Sequence, residues 1–170
     1  MRRAVAVLAK GGWPAERATA TVTLAFDDRH RRRILMKDDA GGEFLLDLAE
    51  ARVLNDGDGL ELDGGQGLVR VVAAPEAVLD VECRSPAETA RLAWHIGNRH
   101  TAVQVLDDNR LRIRDDHILK DMLEGLGATV TRRQAPFQPE SGAYAKSQTG
   151  SHDDDHGHDH GHANGHRHAH

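Results

Sequence analysis

The stretch Val78-Leu79-Asp80-Val81-Glu82-Cys83-Arg84-Ser85-Pro86-Ala87-Glu88 decides the fold of the chain's second half. Val78 to Cys83 reads as a strand. Ser85 to Glu88 reads as a helix start, with Ser at the N-cap, Pro at the first helical position and Glu at the third. Working outward, Ala90, Leu92, Ala93 and Ile96 run along the apolar side of that helix, and Gly97-Asn98 stops it. Val103 to Leu106 is a strand, Asp107-Asp108-Asn109 a turn, and Leu111 to Ile113 the partner strand. Asp115-Asp116 caps a second helix with Ile118, Leu119, Met122, Leu123 and Leu126 as its apolar residues. Gly125 and Gly127 end it, and Thr129 to Thr131 is a last strand. The order β-α-β-β-α-β is that of the ferredoxin-like split unit.

The residues before Ala74-Pro75 have a different pattern. Val22, Leu24 and Phe26 alternate with Thr21, Thr23 and Ala25, the period of a half-buried strand. Further strands are expected at Val5 to Leu8, Arg33 to Met36, Phe44 to Leu48, Leu60 to Leu62 and Leu68 to Val72. The last two flank Asp63-Gly64-Gly65 as a hairpin. Short strands at close spacing suggest a small sandwich or barrel. The expected fold class is therefore α+β: an all-β domain over 1–74, a ferredoxin-like domain over 75–145, and a disordered His-rich tail over 146–170.

Composition narrows the function classes. The formal charge is −5, and the tail contributes four Asp against Arg167, which leaves the body near −2. That balance carries no footprint for nucleic acid. The one basic cluster, Arg29-His30-Arg31-Arg32-Arg33, is expected to decorate a turn and an exposed strand. Aromatic residues are 4% of the chain, so the core must rest on Leu, Val, Ile and Ala. A single cysteine, Cys83, excludes a disulfide within the chain and reads as an inert core thiol. Lys10 cuts the N-terminal apolar run too short for a signal peptide, and no stretch reaches membrane-spanning length. The expected location is the cytoplasm.

The segment from Ser151 to His170 holds eight of the 12 histidines: His152, His156, His158, His160, His162, His166, His168 and His170. Neutral imidazole is the commonest protein ligand for nickel, copper and zinc. The H-x-H pairs, with Gly and Ala as spacers, leave the backbone free to fold back around one ion. The only apolar side chains there are alanines, so the segment has nothing with which to build a core. Interspersed Asp, Gly, Ala, Asn and Arg set it apart from an engineered run of histidines.

Four histidines lie elsewhere. His30 sits in the basic cluster. His95 and His100 are five residues apart and do not share a helical face, so they do not form a helical zinc pair. His100 follows the Gly97-Asn98 stop and should project from a loop. His117 opens the second helix, where the positive helix end favours the neutral, ligating ring. One chain with such histidines does not close a tight site, whereas a two-fold dimer presents an axial residue twice. His100 from each subunit would offer two imidazoles, with His117 or a tail histidine completing the shell. Such an open nitrogen site suits a metal that is handed on. The chain has no CxxC for permanent structural zinc.

These residues also carry a family resemblance. His95-Ile96-Gly97-Asn98-Arg99-His100-Thr101-Ala102-Val103-Gln104 closely resembles the HxGNRHxxxQ segment of UreE, the urease accessory nickel metallochaperone family. Asp116-His117-Ile118-Leu119-Lys120-Asp121-Met122-Leu123 resembles that family's DHVLxDML helix start, and Pro136 to Tyr144 resembles its PFxPExGAY stretch. Arg29 to Arg33 and Asp56-Gly57-Asp58 also sit where the family has a basic strand start and a D-G-D turn. The resemblance implies an N-terminal β domain, often called peptide-binding, and a ferredoxin-like metal-binding domain through which two subunits dimerise. It implies that His100 pairs with its symmetry mate around one Ni²⁺, that tail histidines add ligands, and that nickel passes to apo-urease through an accessory complex including a GTPase. Some members have a histidine two residues before the helix-start histidine. Here that position is Asp115, so the H-x-H pair is absent.

Three functions follow as expectations. The leading one is a non-enzymatic nickel chaperone for urease maturation, with Zn²⁺ or Cu²⁺ competing for the same nitrogen ligands. The second is a metal storage or buffer protein acting through its tail. The third is a metal-dependent hydrolase using Asp115 and Asp116 beside His117. Against that last reading, the chain shows no nucleophile, phosphate loop or cofactor fingerprint.

Overall fold

The computed structural model describes residues 1–141. The His-rich segment, and with it the expectation of a disordered tail, lies outside the described residues. The fold is α+β, with ten strands in two sheets and two α-helices among the described residues.

The first six strands are β1 (Arg2–Leu8), β2 (Ala18–Leu24), β3 (His30–Lys37), β4 (Glu43–Val53), β5 (Gly59–Leu62) and β6 (Leu68–Ala73). They form one sheet in the order β2-β6-β5-β1-β4-β3. Alternation sets the inner face: Phe44, Leu46 and Leu48 are buried along β4, and Val69, Val71 and Ala73 along β6. All of these but Ala73 join Ala4, Val22, Met36, Leu54, Leu60 and Leu62 in one apolar core. The hairpin expected around Asp63-Gly64-Gly65 is present as β5–β6. Two other pairings are parallel, β1 with β4 and β2 with β6. The period of two specifies which face a residue takes but not which strand lies beside it, so the sequence did not show them. Trp13 is buried over Gly59, where a Cβ would come within 2.6 Å of Trp13 Cε2, and its indole N–H donates to the Gly57 carbonyl at 3.3 Å.

Phe26 is not the end of β2. Phe26–Asp28 forms a short 3₁₀ turn, and Arg29 after it is 1% exposed rather than decorating the surface. Its guanidinium donates to the Phe137 carbonyl and lies 5.6 Å from the Phe26 ring centroid. Burial lowers the Arg29 pKa from its ordinary value, and the Glu76 and Asp56 carboxylates oppose that shift. Phe137 meets Phe26 edge-on at 5.4 Å, and Arg114 pairs with Asp27 at 2.7 Å. A cation and two aromatic rings thus fasten the turn between β2 and β3 to Phe137, the residue that follows the last strand of the second sheet. The other arginines of the basic cluster lie on the edge strand β3, where Arg32 and Arg33 are exposed as expected.

The second sheet contains β7 (Pro75–Glu82), β8 (Gln104–Leu106), β9 (Arg110–Arg114) and β10 (Thr129–Pro136) in the order β10-β7-β9-β8, all antiparallel. Helices α1 (Pro86–Gly97) and α2 (His117–Gly125) supply Leu92, Ile96, Leu119 and Leu123 to a core with Leu79, Val81, Leu111 and Ile113. This is the ferredoxin-like arrangement expected from Val78 onward. β10 is longer than the three residues expected, pairing with β7 from Thr129↔Glu82 to Pro136↔Pro75. It is an edge strand whose Arg132, Arg133 and Gln134 stay exposed, so it shows no alternation to read. Ala90 is exposed, and Glu88 is buried instead, its carboxylate accepting from the Arg84 backbone N–H and guanidinium. Ile118 is 65% exposed and Leu126 39%, contrary to their placement in the apolar face.

Candidate metal site

His100 owes its position to the way α1 ends. Ser85 caps the helix by accepting from the Glu88 N–H at 3.2 Å, and Leu92 and Ile96 anchor it to the sheet. At the far end Asn98 N–H donates to Trp94 O, Arg99 N–H to Ile96 O and His100 N–H to Gly97 O, at 3.0, 3.1 and 2.9 Å. These last bonds tighten the closing turn and satisfy carbonyls that the helix leaves open. The tightening carries His100 to a φ of +54°, a left-handed value that non-glycine residues rarely adopt. The side chain is exposed, as expected for a residue beyond the helix stop. The exposed imidazole thus stands on a backbone held in the left-handed region.

His117 is the first residue of α2 and is exposed. Asp116 caps that helix, accepting from the Leu119 N–H at 2.9 Å. Asp115 takes no part in the cap. Its carboxylate pairs instead with Arg132 at 3.1 Å. His95 is half-buried, edge-on to Trp94 at 4.9 Å, and its carbonyl accepts from Arg99. Cys83 is partly buried, and burial raises its thiol pKa while a Thr89 hydrogen bond opposes the shift. That leaves it a poor thiolate ligand.

The structure does not bring His100 and His117 together with a third donor. Among the described residues no group of three or more His, Cys, Asp or Glu is placed to hold a metal ion. His152, His156, His158, His160, His162, His166, His168 and His170 lie outside the described residues. Two open depressions, of about 490 and 260 Å³, are lined by Arg2, Thr21, Asp38 and Asp39 and by Asp115, Arg132 and Arg133. Neither contains a histidine. No described helix is long and apolar enough to cross a membrane.

Two features escaped the reading of the sequence. Trp94, in the last turn of α1, is 63% exposed, and Ile118 stands exposed next to His117. An indole at a helical position reads as core unless the burial of its neighbours is known. The second feature is the run Phe137 to Glu140, bonded to Arg29, Asp56, Gln104, Val103 and Val105. Loss of periodicity after Pro136 hid its order. Its only signal was its place in a shared motif.

The fold and these residues define a two-sheet α+β protein whose described residues present single histidines at exposed helix ends and gather no set of ligands in a cleft. The comparisons make the assignment specific. The model of the UreE urease accessory protein N-terminal domain matches residues 3–74, and that of the C-terminal domain matches residues 76–170. A urease accessory protein UreE from Chelativorans sp. (strain BNC1) is 51% identical over 153 residues, 90% of this chain and 91% of that protein. One from Beijerinckia indica is 45% identical over 153 residues, 90% of this chain and 87% of that protein. One from Rhodopseudomonas palustris (strain HaA2) is 51% identical over 136 residues, 80% of this chain, which spans 62% of that relative's length. The chain belongs to the UreE urease accessory protein family.

Proposed function

We propose that this chain is a non-enzymatic nickel chaperone that carries Ni²⁺ as cargo for assembly of the urease metallocentre. The observation that carries the reading is His100, exposed and held at positive φ at the end of α1. Within a homodimer formed through the 75–145 domain, His100 and its symmetry mate would hold one ion, and His117 or a histidine of the 146–170 segment would complete the shell. The exposed Trp94 and Ile118, close in sequence to His100 and His117, support an interface on this domain. The 1–74 domain would serve docking. The partners are the urease accessory complex with its GTPase and apo-urease in the cytoplasm, with no role for nucleic acid or membrane.

Imidazole ligands in an open site suit transfer. Copper binds such ligands more tightly by the Irving–Williams order, so selectivity must rest on availability and partner recognition. The test is a nickel titration by calorimetry on the chain ending at Gly150, with its mass in solution measured. The expected result is about one ion per dimer, the number that an axial pair dictates, lost on His100→Ala. Absence of binding would overturn the central site and favour storage through the eight tail histidines. Affinity should fall as pH drops through the imidazole range, roughly 6.5, because the ligands must be deprotonated.

A further inference from the structure

β8 is a three-residue edge strand, and it is the element that receives the chain from His100. Among the described residues only β9 pairs with it, from Gln104↔Arg112 to Leu106↔Arg110. So short a strand is weakly held by its ladder alone. Its outer edge is nevertheless not left open. The Glu140 N–H donates to the Val103 carbonyl at 2.8 Å, and the Val105 N–H donates to Glu140 Oε1 at 3.2 Å. One residue thereby takes both a donor and an acceptor of the strand edge, as a neighbouring strand would. Beside it, the Gln138 N–H donates to Gln104 Oε1 at 2.9 Å.

The segment making these bonds is itself anchored at its start. Phe137 is fully buried and its carbonyl accepts from Arg29, while Gln138 Oε1 accepts from the Asp56 N–H at 3.0 Å. Glu140 is therefore the end of a strap tied down to the first sheet, and it can bear on β8. His100 lies between two restraints: the closing turn of α1 on one side, and the strand edge pinned by Glu140 on the other. A residue at φ +54° keeps that conformation only when its surroundings over-determine it.

We propose that Glu140, with Gln104, is a positioning residue for the nickel-holding imidazole of His100, acting by latching the outer edge of β8. The proposal rests on the reading of His100 as a nickel ligand. The carboxylate of Glu140 accepts from the backbone of β8, and its contribution is the order it imposes on residues 103–105. Gln104 supplies the second tether from the strand side, which gives the glutamine four residues after His100 a physical task.

The test uses the full-length chain with the eight histidines from His152 to His170 replaced by alanine, so that the calorimeter reads the body alone. Glu140→Ala should weaken nickel binding about fivefold, the factor carried by roughly one net hydrogen bond. The Val105 amide should exchange with solvent faster in the same variant, and Gln104→Ala should act in the same direction. Glu140→Gln keeps an accepting side-chain oxygen and should stay within about twofold of the parent by the same reasoning. Rescue by glutamine separates positioning from loss of fold, and a single cooperative melt well above the titration temperature in both variants completes the separation. Parental nickel affinity in Glu140→Ala, with the site lost in His100→Ala, would overturn the latch alone. Nickel retained by His100→Ala would overturn the site reading and the latch together.

Discussion

Replacing His100 by glycine should make the protein more stable while removing the proposed metal ligand. A non-glycine residue in the left-handed region costs about 1–2 kcal/mol, and His100 sits there at φ +54°. Glycine removes that strain but adds roughly 0.5–1 kcal/mol of conformational freedom in the unfolded chain. The exposed imidazole makes no hydrogen bond among the described residues, so little else is lost. The net gain is about 0.5–1 kcal/mol, which for a chain of this size raises the melting temperature by about 1–4 °C. Alanine keeps the strain and should show no such gain. Asparagine, which tolerates positive φ, should fall between them. Calorimetric or circular-dichroism melts of metal-free His100→Gly, His100→Asn and His100→Ala at equal concentration read the series. A glycine variant that melts below the parent would refute the claim that strain is stored here.

Three further outcomes follow from the packing. Arg29→Met keeps the apolar stem but deletes the charge-assisted bond to Phe137 O and the contact with Phe26. It also relieves a buried Nε with no hydrogen-bond partner, so the loss should be about 1–2 kcal/mol by denaturant titration, below the ~3–5 kcal/mol of an intact buried pair. Glu88 is held down to a pKa of about 2, chiefly by its hydrogen bond from the Arg84 side chain. Its contribution is present above the unfolded value of 4.5 and is lost as pH falls towards 2. Acid unfolding should therefore be less steep in Glu88→Gln over that window, and an unchanged slope would refute the pairing. Gly59→Ala drives a methyl group into Trp13, 2.6 Å from Cε2. It should destabilise by about 1–3 kcal/mol and change the tryptophan fluorescence.

The second half of the fold was legible because its signals are local and agree with one another. Ser85, Pro86 and Glu88 fix where α1 begins, Asp116 fixes α2, and the apolar residues between them give each helix its buried side. The strands of the first half were legible as strands, but their neighbours were not. The pairing of Arg2–Ala4 with Phe44–Leu46 joins segments some 40 residues apart and leaves no local trace. Arg29 shows the same limit: its type and its arginine neighbours say surface, and only Phe137, distant in sequence, makes burial tolerable. For the site, His100 and His117 were placed correctly at a helix end and a helix start. Ile118 was misplaced because a helix start has few turns over which to count a period. The φ of His100 was invisible, since the sequence marks Gly97-Asn98 as the helix stop but not which residue beyond it turns left-handed.

The fastening of Arg29 to Phe137 also bears on the order in which the molecule is completed. The strands of the first sheet are all present once Ala73 has been made, yet the carbonyl that receives the Arg29 guanidinium belongs to Phe137, 108 residues after Arg29 itself. Until that carbonyl arrives, a nascent first sheet has a cation that cannot be sealed away from water. The second sheet is no earlier, because β7, its first strand to be made, waits for β10, its last. Among the described residues two closures thus fall side by side, with Pro136 completing a sheet and Phe137 the joint between the sheets. A ribosome stalled before that point would hold a chain with a formed half and an unsealed seam, open to partners and proteases that the finished protein excludes.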